Sequence, residues 1–256
     1  MQRSVKSLIG YTMGATDGEI GKVKEFYFDD KTWMIRYVIV ETGNWLSGRK
    51  VLISPVSLLK ADSDSEVLSV NLTREQIKNS PDIDTEKPVS VQQEMELYNY
   101  YPWGNYWGGS LWGGGIGTTG MMMGPSIPVE EAVGAEYNAA PGTEGDGNPH
   151  LRSTDTVKGY NIRANDGAIG DVEDFIIDDS SWKIDFMVVD TGNWFPGKKV
   201  LISPKWIKQV EWETSSVVVN ASVEKVKNSP EFDSHQPINE KYTETLYDYY
   251  GRPVYH

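Results

Sequence analysis

The chain has no cysteine, which removes disulfides and thiolate chemistry and fits a reducing cytoplasm. Histidine is almost as scarce. The three present, His150, His235 and His256, have no ligand-type partner at metal spacing, so each reads as a solvated side chain. Positive charge is in deficit: 24 Lys and Arg against 37 Asp and Glu leave a formal net charge of −13. A grip on nucleic-acid phosphates needs clustered Lys and Arg, so nucleic acid is excluded as a partner. The N-terminal stretch MQRSVKSLIGYTMGATDGE has no apolar run of signal-peptide length, and a cytoplasmic protein is expected.

Reactive motifs are missing as well. No G-x-S-x-G precedes a helix, and the acids Asp166, Asp171, Glu173, Asp174, Asp178 and Asp179 lack the D-x-D-x-D-G spacing of a calcium loop. No enzyme, cofactor or metal site is expected.

What the chain does have is a repeat. Gly10 matches Gly159, an offset of 149 that also pairs Asp17-Gly18 with Asp166-Gly167 and Ile20-Gly21 with Ile169-Gly170. The offset persists through Phe26/Phe175, Asp29-Asp30/Asp178-Asp179, Trp33/Trp182 and the KNSP at 78–81 and 227–230. A period this long is domain-sized, so the chain is a tandem duplication. The expected divisions are 1–102, a linker at 103–149, and 150–256.

Two copies make an internal control. Trp33, Ile35, Tyr37 and Ile39 stay large and apolar as Trp182, Ile184, Phe186 and Val188, while Met34 and Arg36 become Lys183 and Asp185. Period-two alternation marks a strand with one buried face. KVKEFYF, DVEDFII, both KVLIS segments, VLSVNL and SVVVNA read as further strands, with the two Asp-Gly pairs supplying positive φ for tight hairpin turns. A short helix follows in each copy, capped by Thr73 or Ser222 and stopped before Pro81 or Pro230. A last helix begins near Ser90 or Asn239. It carries Leu97, Tyr98 and Tyr101, matched by Leu246, Tyr247 and Tyr250, on one face.

The most nearly repeated phrase, TGNWLSGRKVLISP at 42–55 and TGNWFPGKKVLISP at 191–204, includes G-x-x-x-x-G-K from Gly192 to Lys198. A phosphate loop requires a helix next and a Ser or Thr behind the Lys. Here Lys199 and a β-branched run follow, so the segment joins two strands. Gly43 and Gly48 permit the bend, and Trp45 is expected to fold back over the barrel end.

The ordered set Gly-Tyr, Asp-Gly-x-Ile-Gly-x-Val, Phe-x-x-Asp-Asp, Trp-x-Ile, Thr-Gly-Asn-Trp and Lys-Val-Leu-Ile-Ser-Pro resembles the PRC-barrel domain, over about 80 residues of each copy. That family is named for the cytoplasmic part of the photosynthetic reaction-centre H subunit and includes a domain of a ribosome maturation factor. The resemblance implies a mainly β fold: two small antiparallel barrels in tandem, each followed by short helices. It implies protein contact and assembly, and it carries no catalytic residues.

Between the copies lies YYPWGNYWGGSLWGGGIGTTGMMMGPSIP, part of a stretch from Leu97 to Val129 without a single charge. Glycine and prolines 102, 125 and 128 argue against a membrane-spanning helix. Two readings stand beside each other. In one, the segment is a spacer that packs its aromatics on its own barrels. In the other, Trp103, Tyr106, Trp107 and Trp112 lie on a protein partner or a lipid interface. Contact surfaces are thus expected at Trp45, Trp194, Trp103, Tyr106, Trp107 and Trp112. The function implied is a non-enzymatic binding or scaffolding module whose two barrels pack as a pseudo-dimer, or else associate with further copies. The alternatives are a membrane-peripheral assembly factor like the H subunit, touching lipid through 103–128, and a ribosome-maturation factor.

Overall fold

A computed structural model describes residues 1–83, 89–101, 149–192 and 198–252. They fall into two compact units, Met1–Asn79 with His150–His256, and Ser80–Pro149. The first unit holds the strands of both copies of the repeat. Copy one contributes β1 (Gln2–Ser4), β2 (Thr12–Ala15), β3 (Gly18–Asp29), β4 (Ile35–Glu41), β5 (Lys50–Ile53), β6 (Leu58–Asp62) and β7 (Val67–Val70). Copy two contributes β8 (Leu151–Ser153), β9 (Asn161–Ala164), β10 (Gly167–Asp178), β11 (Lys183–Asp190), β12 (Lys199–Ile202), β13 (Ile207–Glu211) and β14 (Ser216–Val219). Every strand expected from apolar alternation is present, and the architecture is mainly β.

The two seven-stranded sheets have matching orders, β5-β4-β3-β2-β7-β6 and β12-β11-β10-β9-β14-β13. Pairing is antiparallel except between β2 and β7 and between β9 and β14, which run parallel. The parallel pair arises because the chain passes through four intervening strands before its end returns beside its beginning. The seventh strand of each sheet comes from the other copy: β8 lies on β3 and β1 lies on β10. The halves have exchanged their first strands.

Glycine at 21 and 170 has a specific cause. An added Cβ at Gly21 would stand 1.9 Å from the Glu41 carbonyl oxygen, and one at Gly170 1.8 Å from that of Asp190. Strands β3 and β4, and likewise β10 and β11, cross too closely there for any side chain. The Asp-Gly turns form in both copies, but positive φ is not what they share. Gly18 takes φ +143° and Gly167 does not enter that region. The common element is the aspartate. Asp17 accepts the amide of Arg74 at 2.7 Å and Asp166 that of Val223 at 2.7 Å. Each satisfies an orphan N–H at the start of the short helix that follows β7 or β14.

Those helices are α2 (Arg74–Lys78), capped by Thr73, and its counterpart Val223–Lys227, capped by Ser222. The first helices, α1 (Val5–Leu8) and Thr154–Val157, are single turns capped by Ser4 and Ser153. The last helix of copy two, Glu240–Tyr250, starts at Asn239 as expected. It turns Leu246, Tyr247 and Tyr250 inward, where Tyr250 stacks on Trp206 at 4.3 Å and Tyr247 meets Trp206 and Phe186 at 5.4 and 6.2 Å. In the second unit, α3 (Val91–Tyr100) opens on a Ser90–Gln93 capping box. Among the described residues, no helix is long and apolar enough to cross a membrane.

Candidate functional site: the strand-exchange interface

The segment 42–50 is architecture. Gly43 and Gly48 take φ +59° and +73°, as does Gly192 at +61°, and the Thr42 and Thr191 hydroxyls close their loops on the carbonyls of Arg49 and Lys198, at 2.7 and 3.0 Å. Lys198, the lysine of the phosphate-loop look-alike, donates to the Lys227 carbonyl at 2.5 Å. Arg49 does the same to the Lys78 carbonyl at 3.3 Å. Both cations cap the C-terminal end of a short helix, where carbonyls lack partners. Trp45 folds back as expected. It is half-buried, its indole N–H donates to the Ile20 carbonyl, and the Arg74 guanidinium lies 4.5 Å above its ring. Trp194, Trp103, Tyr106, Trp107 and Trp112 lie outside the described residues.

The residues shared by the two copies converge instead on the junction between them. Arg3, on β1, donates through Nε to Asp179 of copy two at 2.6 Å and through Nη1 to Ser63 of its own copy at 2.6 Å. Its counterpart Arg152, on β8, reaches Asp30 of copy one at 3.0 Å and stacks on Trp212 of its own copy at 4.1 Å. Each arginine therefore ties an exchanged strand to both halves, through a charge-assisted bond that is stronger than a neutral one. The neighbouring serines repeat the pattern. Ser4 donates to Asp174 and Ser153 to Glu25, and the Lys6 amide adds a second bond to Asp174 at 3.0 Å.

The Asp-Asp pairs divide their labour. Asp29 closes its own turn, accepting from the amides of Lys31 and Thr32 at 3.1 and 2.8 Å. Asp178 accepts from the Ser180 and Ser181 hydroxyls at 2.6 and 3.0 Å. The second aspartates, Asp30 and Asp179, receive the incoming strand, and Asp178 also accepts from the Met1 amino group at 3.0 Å. His150 departs from expectation. Its Nδ1 lies 3.0 Å from Asp30 and its carbonyl accepts the Asp30 amide at 2.9 Å, because β8 carries it to the junction.

At the centre, the two copies meet about a local twofold axis. The Ile35 amide donates to the Trp182 carbonyl and the Ile184 amide to the Trp33 carbonyl, both at 2.8 Å. Met34 and Lys183 thereby stand opposite each other in an antiparallel bridge. Trp33 and Trp182 take φ +60° and +55° to do so, a backbone conformation that bulky residues rarely occupy and that costs about 1–3 kcal/mol. Aromatic packing offsets it. Trp33 stacks on Phe28 at 5.2 Å, Trp182 on Phe26 at 6.4 Å, and Phe28 meets Phe175 at 5.8 Å. The last two contacts cross between copies.

Sequence reasoning missed β1 and β8. The signal was there: Arg-Ser recurs at 3–4 and 152–153 under the same offset. Beside the junction, a hollow of about 360 Å³ is lined by Lys31, Trp33, Lys183, Asp185, Lys205 and Tyr247 among others. No group of three or more metal-ligating side chains occurs among the described residues.

Comparison with known proteins agrees with this architecture. Residues 2–77 match the PRC-barrel domain model. An uncharacterized protein of Deinococcus radiodurans is 32% identical over 79 residues, covering 31% of this chain and 28% of that relative. The match therefore spans little more than a quarter of the relative's length.

Proposed function

We propose that the chain is a non-enzymatic protein-binding or scaffolding module, built from two PRC-type sheets joined into one body. What supports this reading is where the repeated residues are used. Arg3/Arg152, Ser4/Ser153, Asp30/Asp179 and Trp33/Trp182 join the halves, and Gly21/Gly170 let strands cross. The charged residues lining the hollow beside the junction differ between copies. Lys183 and Asp185 are Met34 and Arg36 in the other copy, so that hollow is not a repeated reactive site. A body held this way displays loops and sheet edges to other proteins, with the Trp45 loop and the 103–128 segment as its contact surfaces.

Affinity purification from the native cell tests the proposal. Full-length protein is expected to retain specific protein partners, and deletion of 103–128 to lose at least one of them. Retention of every partner by the deletion would remove 103–128 from the proposal. A small molecule bound to the native protein and turned over by it would overturn the non-enzymatic reading.

A further inference from the structure

The exchange interface pairs two copies that are similar but not the same, and their differences are complementary across the junction. Lys6 reaches Glu173 at 3.7 Å; the equivalents under the repeat are Asp155 and Lys24, the same two charges reversed. Copy one against itself would face Lys6 with Lys24, and copy two against itself Asp155 with Glu173. Gln2 donates to Asp185 at 3.1 Å, whereas the equivalent strand carries Leu151 and the equivalent of Asp185 is Arg36, paired with Asp29 of its own copy at 3.5 Å. A second copy-two partner would bring Leu151 to Asp185 and leave a half-buried carboxylate without its donor.

The centre follows the same rule. Met34 opposes Lys183 in a bridge whose hydrogen bonds flank the pair, the geometry that brings facing side chains closest. Copy two against itself would oppose two lysines there, which destabilises an antiparallel pair, and copy one against itself would oppose two methionines.

We infer that this surface is a specificity device. It accepts copy one against copy two and rejects either copy against itself, so the partner it selects is the other half of a chain like this one. The duplication has become an obligate pairing of unlike halves, with Lys6/Glu173, Gln2/Asp185 and Met34/Lys183 as its discriminating pairs.

Single substitutions in the full-length chain create the like combinations, and double substitutions restore the unlike one with its roles exchanged. Met34→Lys sets two lysines face to face and should lower the thermal midpoint by about 2–4 °C. Adding Lys183→Met should return at least half of that loss. Met34 and Lys183 are both partly exposed, so the single and double variants are expected to fold and the cycle to be readable. Strictly additive effects in the Met34/Lys183 cycle, with no recovery in the double variant, would overturn the inference.

Discussion

At the scale of single residues, two kinds of glycine separate cleanly. Gly21 is there for space, since the Glu41 carbonyl occupies the place of a side chain. Gly43 is there for conformation, with open space around it and φ +59°. Gly21→Ala should therefore cost about 3 kcal/mol or more, because backbone must move. Gly43→Ala should cost only the left-handed penalty of about 1–2 kcal/mol. Urea unfolding of the two variants measures the difference, and equal losses would contradict the close-approach argument. The sequence showed these glycines as a repeated set. Which of them answers to sterics and which to φ depends on a strand that crosses 20 residues later in the chain, and so could not be read locally.

Titration also belongs to this scale. Burial pushes Asp178 up, but hydrogen bonds from the Ser180 hydroxyl, the Met1 amino group, the Ser180 amide and the Ser181 hydroxyl outweigh it and hold Asp178 down to about 2. Asp179 is also lowered, burial again being overcome by Arg3 and the Met1 amino group. A carboxylate with a depressed folded pKa adds stability above its unfolded value of about 4 and loses it as pH falls through the folded value. Asp174 has the opposite sign. Burial raises it despite bonds from Ser4 and from the Phe175 and Lys6 amides, so it opposes folding at neutral pH and relents on acidification. The thermal midpoint should hence fall between about pH 4 and pH 2. Asp178→Asn should flatten that fall, whereas Asp174→Asn should leave the acid limb steep.

At the scale of elements, legibility tracked locality. Strands β3, β4, β10 and β11 showed themselves by alternation, and the helices by Thr73, Ser222, Ser90 and Asn239, since caps and periodicity are short-range properties. Strands β1 and β8 left only the recurring Arg-Ser as a trace, with no pattern that marks a strand. Three residues long, they carry no periodicity, and their partners are in the other copy, so nothing within either copy specifies them. The same cause hid Asp30, Asp179 and His150, whose partners arrive with those strands. Their dependence on Arg3 and Arg152 is testable. Arg3→Ala removes a partly buried, charge-assisted bond to Asp179 and should destabilise the protein by about 1.5–3 kcal/mol. Lys6→Ala, which removes an exposed pair at 3.7 Å, should change it by less than about 1 kcal/mol. Denaturant midpoints compare the two, and a reversed order would show that β1 is not held by its arginine.

At the scale of the whole molecule, strand exchange changes what counts as a folding unit. If each copy owned all its strands, the two could unfold one after the other, as tandem domains do. Here neither sheet is complete without the other copy, and Phe26, Phe28, Phe175 and Trp182 form a core that belongs to both. Opening one copy removes a strand from its neighbour's sheet and bares that neighbour's aromatic face. Calorimetry should thus record one transition for both halves, with the calorimetric and van't Hoff enthalpies in agreement. A damaged copy should carry its neighbour with it. In Gly21→Ala, hydrogen exchange of β10 and β11 in copy two should accelerate together with that of β3 and β4, although the substitution touches only copy one. If β10 and β11 kept wild-type protection while β3 and β4 lost theirs, the halves would be independent domains and the exchanged strands mere decoration on their edges.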